Sequence, residues 1–207
     1  MSESVSRQEQ KERTRNALLD AALELSHRKG FAQISLRQVA KVAGVVPAAF
    51  YRHFESMDEL GLALVERSFG TLRAMIRDAQ RDPTVFGNII DAAAEILVET
   101  VKQYKADFAF VARERVGGSA VARTAIRHEL DLFVSELAVV LARLPQVEKF
   151  STDDVHMVAR LFVRNMVSNA EEVIEAPEGR PDIEAQIKDG ARRQMRLIVI
   201  GFKDWRS

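Results

Sequence analysis

From residue 9 to residue 205 apolar side chains recur at intervals of three and four, and β-branched or aromatic residues never alternate long enough to pleat a strand. That spacing restricts the chain to helices with one buried stripe each. The first stripe is Ala17, Leu18, Ala21, Ala22 and Leu25, in a helix expected over residues 9–29 and ended by Gly30. Ser35-Leu36-Arg37-Gln38 has the S-x-x-Q form of a capping box and opens a short helix that closes at Gly44. Pro47 lacks an N–H to lose, suits a first helical turn, and starts a helix to about His53. Ser56-Met57-Asp58-Glu59 is a second capping box, before a long helix to about Gln80.

The rest of the chain repeats the pattern. Asp82-Pro83-Thr84 interrupts it, and Ile89, Ile90, Ala93, Ile96, Leu97 and Val101 then mark a helix to about Tyr104. Phe108, Phe110, Val111 and Ala112 belong to a shorter helix ended by Gly117-Gly118. Ser119 caps a helix to about Leu144, stopped by Pro145, and Thr152 or Asp153 begins another to about Glu175. Pro177 to Pro181 is a loop, and a last helix covers about Ile183 to Trp205. The expectation is an all-α chain of nine helices. At 207 residues and 47% hydrophobic it can bury a sizeable core. It has no cysteine, which excludes disulfides, thiolate metal sites and cysteine nucleophiles, and suits a reducing cytoplasm. No apolar run reaches the roughly 18 residues of a membrane span, and the polar N-terminus is unlike a signal peptide, so a soluble cytoplasmic protein without membrane contact is expected.

Thirty basic and thirty acidic residues cancel overall, but not locally. Between Arg7 and His53 nine Lys and Arg face four acids, which leaves an equal acidic excess on the remainder. An anionic partner is therefore expected at one end of the molecule.

The segment SLRQVAKVAGVVPAAFYRHF, residues 35–54, shows what that end is for. Two short helices can cross steeply if the first offers a small side chain at the crossing and the turn accepts a positive φ. Ala40 and Gly44 meet those demands. Val39, Ala43, Val45, Phe50 and Phe54 then point inward, leaving Pro47, Ala48, Tyr51 and Arg52 outside. This is the layout of a helix-turn-helix, whose second helix enters a DNA major groove. Ala48 and Ala49 suit thymine methyl groups, and Arg52 suits guanine or a phosphate. Tyr51, His53 and the amides at Ser35 suit phosphate oxygens. Arg7, Lys11, Arg13 and Arg15 form a basic arm, and Arg37 and Val46 complete the expected DNA surface.

These residues resemble the TetR family of one-component transcriptional regulators. The resemblance rests on RTRNALLDAALELSHRKGF (13–31), SLRQVAKVAGVVPAAFYRHF (35–54) and MDELGLALV (57–65). It implies a three-helix DNA-binding domain, here residues 1–55, and a ligand-binding and dimerisation body, residues 56–207. It also implies a recognition helix over Val46 to His53, with Tyr51 and His53 on the phosphate backbone. Met57 stands where many members carry a phosphate-binding lysine. Met57 with DELGL, FYRHF (50–54), RERVGGSA (113–120) and NAEEV (169–173) is similar to the subgroup typified by FabR and DesT, repressors of unsaturated fatty-acid synthesis genes. That subgroup implies that long-chain acyl-CoA, or another acyl thioester, modulates DNA affinity; a palindromic operator is expected of a helix-turn-helix homodimer, and no cofactor is expected.

The residues of the body agree with an apolar ligand. Phe69, Leu72, Met75, Ile76, Phe86, Ile90, Leu97, Phe108, Phe110, Val111, Phe133 and Leu137 would make any cavity among the middle helices greasy. Arg113 and Arg115 are candidates for a CoA phosphate group, or else for ordinary ion pairs. In the last two helices Val158, Phe162, Met166, Ala170, Ile187, Met195, Ile198 and Phe202 supply more apolar surface than one side of a monomer needs, which points to a four-helix homodimer interface. No G-x-G-x-x-G, P-loop or G-x-S-x-G is present, and only Asp153 and His156 stand at a metal-ligand spacing, so neither catalysis nor a metal is expected. Two other classes stay open at this point: a carrier of apolar ligands without DNA function, and an all-helical enzyme acting on an acyl thioester.

Overall fold

The computed structural model describes the backbone of residues 2–80 and 89–206 and the side chains of 6–74 and 90–206. Among the described residues there are nine α-helices and no strand. They are α1 (Ser2–Lys29), α2 (Leu36–Val42), α3 (Pro47–Phe50), α4 (Met57–Gln80), α5 (Ile89–Gln103), α6 (Lys105–Gly117), α7 (Ala120–Leu141), α8 (Thr152–Glu175) and α9 (Pro181–Ile200).

Most boundaries fall within a few residues of where the sequence puts them, but α1 begins at Ser2 rather than residue 9, and α9 ends at Ile200 rather than Trp205, followed by a tighter turn over Gly201–Lys203. Both halves of the Ser35 capping box form: Ser35 Oγ accepts from Gln38 N, and the Gln38 side chain accepts from Ser35 N at 2.8 Å. At Ser56 the hydroxyl accepts from Glu59 N at 3.1 Å, but the Glu59 carboxylate reaches past the cap to Glu55 N. Helix α7 ends three residues before Leu144, because a residue preceding proline is driven to extended geometry, and Leu144 has ψ 131°. Ser151 caps α8 by accepting from Asp154 N at 3.1 Å, and α9 begins at Pro181, a residue suited to a first turn.

The helices gather into two compact units: residues 1–71 with 109–126, and residues 72–108 with 127–207. In the first unit Leu18, Leu19 and Ala22 of α1 are buried with Val39, Ala40, Phe50, Phe54, Leu60 and Leu64. Asp20 of α1 pairs with Arg67 of α4 at 2.6 Å. The second half of α6 grips the end of α1. Phe110 meets Phe31 edge-on at 5.8 Å, Arg113 Nη1 donates to the carbonyls of Ser26 (2.7 Å) and His27 (3.2 Å), and Phe31 N donates to buried Glu114 Oε1 at 3.2 Å.

This grip depends on the second of two adjacent glycines. A Cβ on Gly118 would stand 2.5 Å from the Glu114 carbonyl oxygen and 2.6 Å from its Oε2, whereas one on Gly117 would meet nothing within 4 Å. Gly118→Ala is therefore expected to destabilise the protein by about 1–3 kcal/mol through overpacking, and Gly117→Ala to be close to neutral, in paired thermal denaturation curves.

In the second unit α8 and α9 run antiparallel with α5 beside them. Acids of α5 face bases of α9 in reverse order: Arg196 to Asp91 (2.9 Å), Arg192 to Glu95 (3.3 Å), Lys188 to Glu95 (2.5 Å) and Glu99 (3.1 Å), and in the opposite sense Lys102 to Glu184 (2.9 Å). The hydrogen bond from Lys188 holds the Glu95 carboxyl below its usual range.

Most of the expected interface residues of α8 and α9 pack within their own unit. Val158 and Phe202 are buried in one cluster with Phe162 and Ile198 against it. Ala170 and Ile187 are buried in a second with Met166, and Met195 in a third. Val158, Ala170, Ile187, Met195 and Phe202 are thus core of their own unit, whereas Phe162, Met166 and Ile198 are half-buried. The apolar side chains that remain exposed lie elsewhere on the helices, at Met157 and Leu161 of α8 and at Leu197 (71% exposed) and Ile200 (68%) of α9.

Candidate nucleic-acid interface

Gly44 sets the geometry of this surface. It adopts φ +70°, a left-handed conformation that L side chains resist, and nothing lies within 4 Å of where its Cβ would be, so the backbone alone demands glycine. The turn leads from α2 into α3, which packs against α2, and Phe50 and Phe54 lie inward, at 0% and 1% exposure. Regular α-helix covers only Pro47–Phe50. Tighter bonds continue the coil, Arg52 N to Ala49 O at 3.2 Å and His53 N to Phe50 O at 2.8 Å, so the expected length to His53 is reached as turns.

With Phe50 and Phe54 inside, the opposite side is presented to solvent. Val46 and Tyr51 are 67% and 65% exposed, and Pro47, Ala48 and Arg52 are exposed with them. Ala49 and His53 are half-buried. Arg13, Ser35 and Arg37 are exposed as well. Of the amides expected to await a phosphate at the start of α2, those of Ser35 and Gln38 are already paired within the capping box.

Basic side chains of α1 sit beside this surface. Arg15 stacks its guanidinium over Phe54 at 5.1 Å from the ring centre. Burial, and then the charges of Lys11, Arg15 and Arg52, hold the His53 imidazole below its ordinary range, and its Nδ1 is buried with no hydrogen-bond partner. An imidazole acted on by three cations is suited to a polyanion.

Residues 18–64 match the family model described as bacterial regulatory proteins, tetR family. The chain carries a TetR-family N-terminal domain. The description of that model is of regulatory proteins. Most of the chain is similar in fold to several solved structures. A transcriptional regulator from Rhodococcus sp. Rha1 is 21% identical, with 90% of this chain and 96% of that one covered and a TM-score of 0.71. A fatty acid degradation regulator FadR from Bacillus halodurans is 13% identical over 89% and 94%, with a TM-score of 0.69. AibR, solved in complex with isovaleryl coenzyme A and operator DNA, is 17% identical over 86% and 96%, with a TM-score of 0.66. At these identities the likeness is one of fold, and it is the nine-helix fold of TetR regulators.

The ligand candidates are distributed over both units. In the unit that holds the TetR domain, Phe69 and Phe110 are buried and Val111 half-buried. Arg113 is exposed, but its guanidinium caps the carbonyls of α1, and Arg115 is half-buried. In the other unit Ile90 and Phe108 pack on clusters of α5, α8 and α9, and Leu137 on the α7–α8 cluster. Leu72 is half-buried there, and Phe133 lies under the Arg73 guanidinium at 5.0 Å, beside the Arg73 to Glu129 pair at 2.5 Å. Phe86 lies outside the described residues, as do the side chains of Met75 and Ile76. The sequence reading missed the role of Glu114, whose carboxylate accepts from Phe31 N 83 residues away, a contact that no local pattern signals.

Proposed function

We propose that the protein is a homodimeric, ligand-responsive transcriptional regulator of the cytoplasm, whose residues 1–55 read a palindromic operator and whose residues 56–207 pair two copies and hold an apolar effector. One observation carries the reading: Val46, Pro47, Ala48, Tyr51 and Arg52 stand exposed on the far side of a turn whose inner side is the buried pair Phe50 and Phe54. Small and β-branched side chains at Val46 and Ala48 admit close approach to base edges, while Tyr51 and Arg52 flank them with donors. Arg13, Lys11 and Arg15 add cations along the adjoining backbone. Two such surfaces about 34–36 Å apart would enter successive major grooves on one face of the duplex.

For the effector we propose a long-chain acyl-CoA, with genes of unsaturated fatty-acid synthesis as the repressed targets. The resemblance to the FabR and DesT subgroup and the apolar character of Leu72, Ile90, Phe108, Phe133 and Leu137 support it. So do two proteins of the same fold, one described as a regulator of fatty acid degradation and one holding isovaleryl coenzyme A. Arg113 is left out of the head-group assignment because its guanidinium already serves α1. Effector binding acts only through unequal affinity for the two spacings of the reading surfaces.

Selection of bound duplexes from a random pool, with and without a panel of acyl-CoAs, tests both parts. The expected result is a palindrome with half-sites about 10 base pairs apart, centre to centre, and an enrichment that acyl-CoA changes. A pool without a shared motif overturns the DNA reading; a motif indifferent to every acyl-CoA overturns the effector alone. Arg52→Ala is expected to relax preference at one base position by about 1–3 kcal/mol, whereas Tyr51→Phe weakens all sequences alike. Equal loss for Arg52→Ala on matched and mismatched sites would show that it touches only phosphate.

A further inference from the structure

His53 ends the recognition turn in surroundings whose electrical sign a nucleic acid would reverse. Its Nδ1 is buried and unpaired, and the charged groups acting on it are Lys11 and Arg15 from α1 and Arg52 from its own turn, with no carboxylate among them. Its neighbours in sequence, Tyr51 and Arg52, are exposed. A protonated imidazole here has three cations acting on it and a buried N–H without an acceptor, and both disfavour the charged ring in the free protein. Phosphates drawn to Lys11, Arg15 and Arg52 would cancel that repulsion and favour the imidazolium.

We infer that the protein takes up protons when it binds a duplex, with His53 of each protomer as the acceptor. The inference rests on the DNA-binding reading above and adds a control to that site: affinity set by pH as well as by effector. The sign follows from linkage. The free ring has a pKa lowered from 6.5, and the bound ring a higher one, so binding tightens as pH falls through the interval between them and levels off below the lower value. Each unit by which phosphate raises the pKa gives up to about tenfold in affinity per protomer. Because phosphates supply the field, the effect needs no particular base sequence.

The test measures the dissociation constant of the full chain for a mixed-sequence duplex of about two helical turns. Wild type and His53→Asn are compared at constant ionic strength, at about pH 7.5 and about pH 5.5. Wild type is expected to bind at least about fivefold more tightly at the lower pH, and the variant to bind at both with most of that gain gone. Titration calorimetry of wild type in two buffers of different ionisation enthalpy reads the proton uptake directly, and does not depend on the variant folding. Binding without a pH gain, without proton uptake, or with the same gain in His53→Asn overturns the inference and leaves the DNA reading standing. No binding at either pH overturns both.

Discussion

Phe50→Ala is expected to cost about 3–5 kcal/mol and to abolish duplex binding, although Phe50 itself touches no DNA. The ring is 0% exposed and packs on Phe54 at 5.7 Å and on Tyr51 at 5.8 Å. Its removal leaves a cavity in a unit whose other fully buried side chains include Leu18, Val39 and Ala40. A single domain is stable by only about 5–15 kcal/mol, so this is a large fraction of the total. Between Gly44 and α4 only one turn is regular α-helix, and it packs on α2 with Phe50 buried. Differential scanning calorimetry should show a transition lowered by about 10 °C or more. Tyr51→Phe, at a side chain 65% exposed, should leave the transition within about 0.5 kcal/mol of wild type. An unshifted transition in Phe50→Ala would mean that the inner face of the turn does not support its outer one.

How far the sequence discloses such a surface depends on the range of the interactions that make it. Ser35 and Gln38, Gly44 and Pro47 act on neighbours within a few residues, so their patterns can be read directly, and the capping box and the left-handed turn are where the spacing puts them. The exposure of Val46 and Tyr51 follows from the same local geometry once Phe50 faces inward. Arg113 is different. Its partners lie 86 and 87 residues away at His27 and Ser26, and no periodicity announces that a guanidinium will cap a distant helix. Glu114 and Phe31 are 83 residues apart and equally silent. In α8 and α9 the sequence shows that apolar residues exceed one stripe, but not which stripe is covered by the protein's own α5 and α7. The wider stripe, containing Val158, Ala170, Ile187 and Met195, is taken by the core, and the narrower remainder is left outside.

That remainder gives the second large expectation: Leu197→Arg with Ile200→Arg should yield a folded monomer that no longer binds a palindrome cooperatively. Both side chains lie on α9, 71% and 68% exposed, at the end where α9 packs on the start of α8. Met157 and Leu161 are exposed on that same part of α8, so the four residues belong to one end of the helical hairpin. A two-fold axis there would bury each patch against its copy. Each fully covered Leu or Ile contributes about 1.5–3 kcal/mol, and the two positions in two copies give about 6–12 kcal/mol before the costs of association. Arginine at both positions removes that gain and sets like charges near the axis. The protomer should tolerate the change, because neither side chain enters its core clusters. Light scattering after size exclusion reads the mass, and circular dichroism confirms the helices. Loss of the palindrome should accompany the fall in mass, since a lone recognition turn holds one half-site and lacks the second set of phosphate contacts. If the double variant remained a dimer, the pairing surface would have to be sought on the outer face of α7, where Leu132, Val139 and Val140 are also exposed.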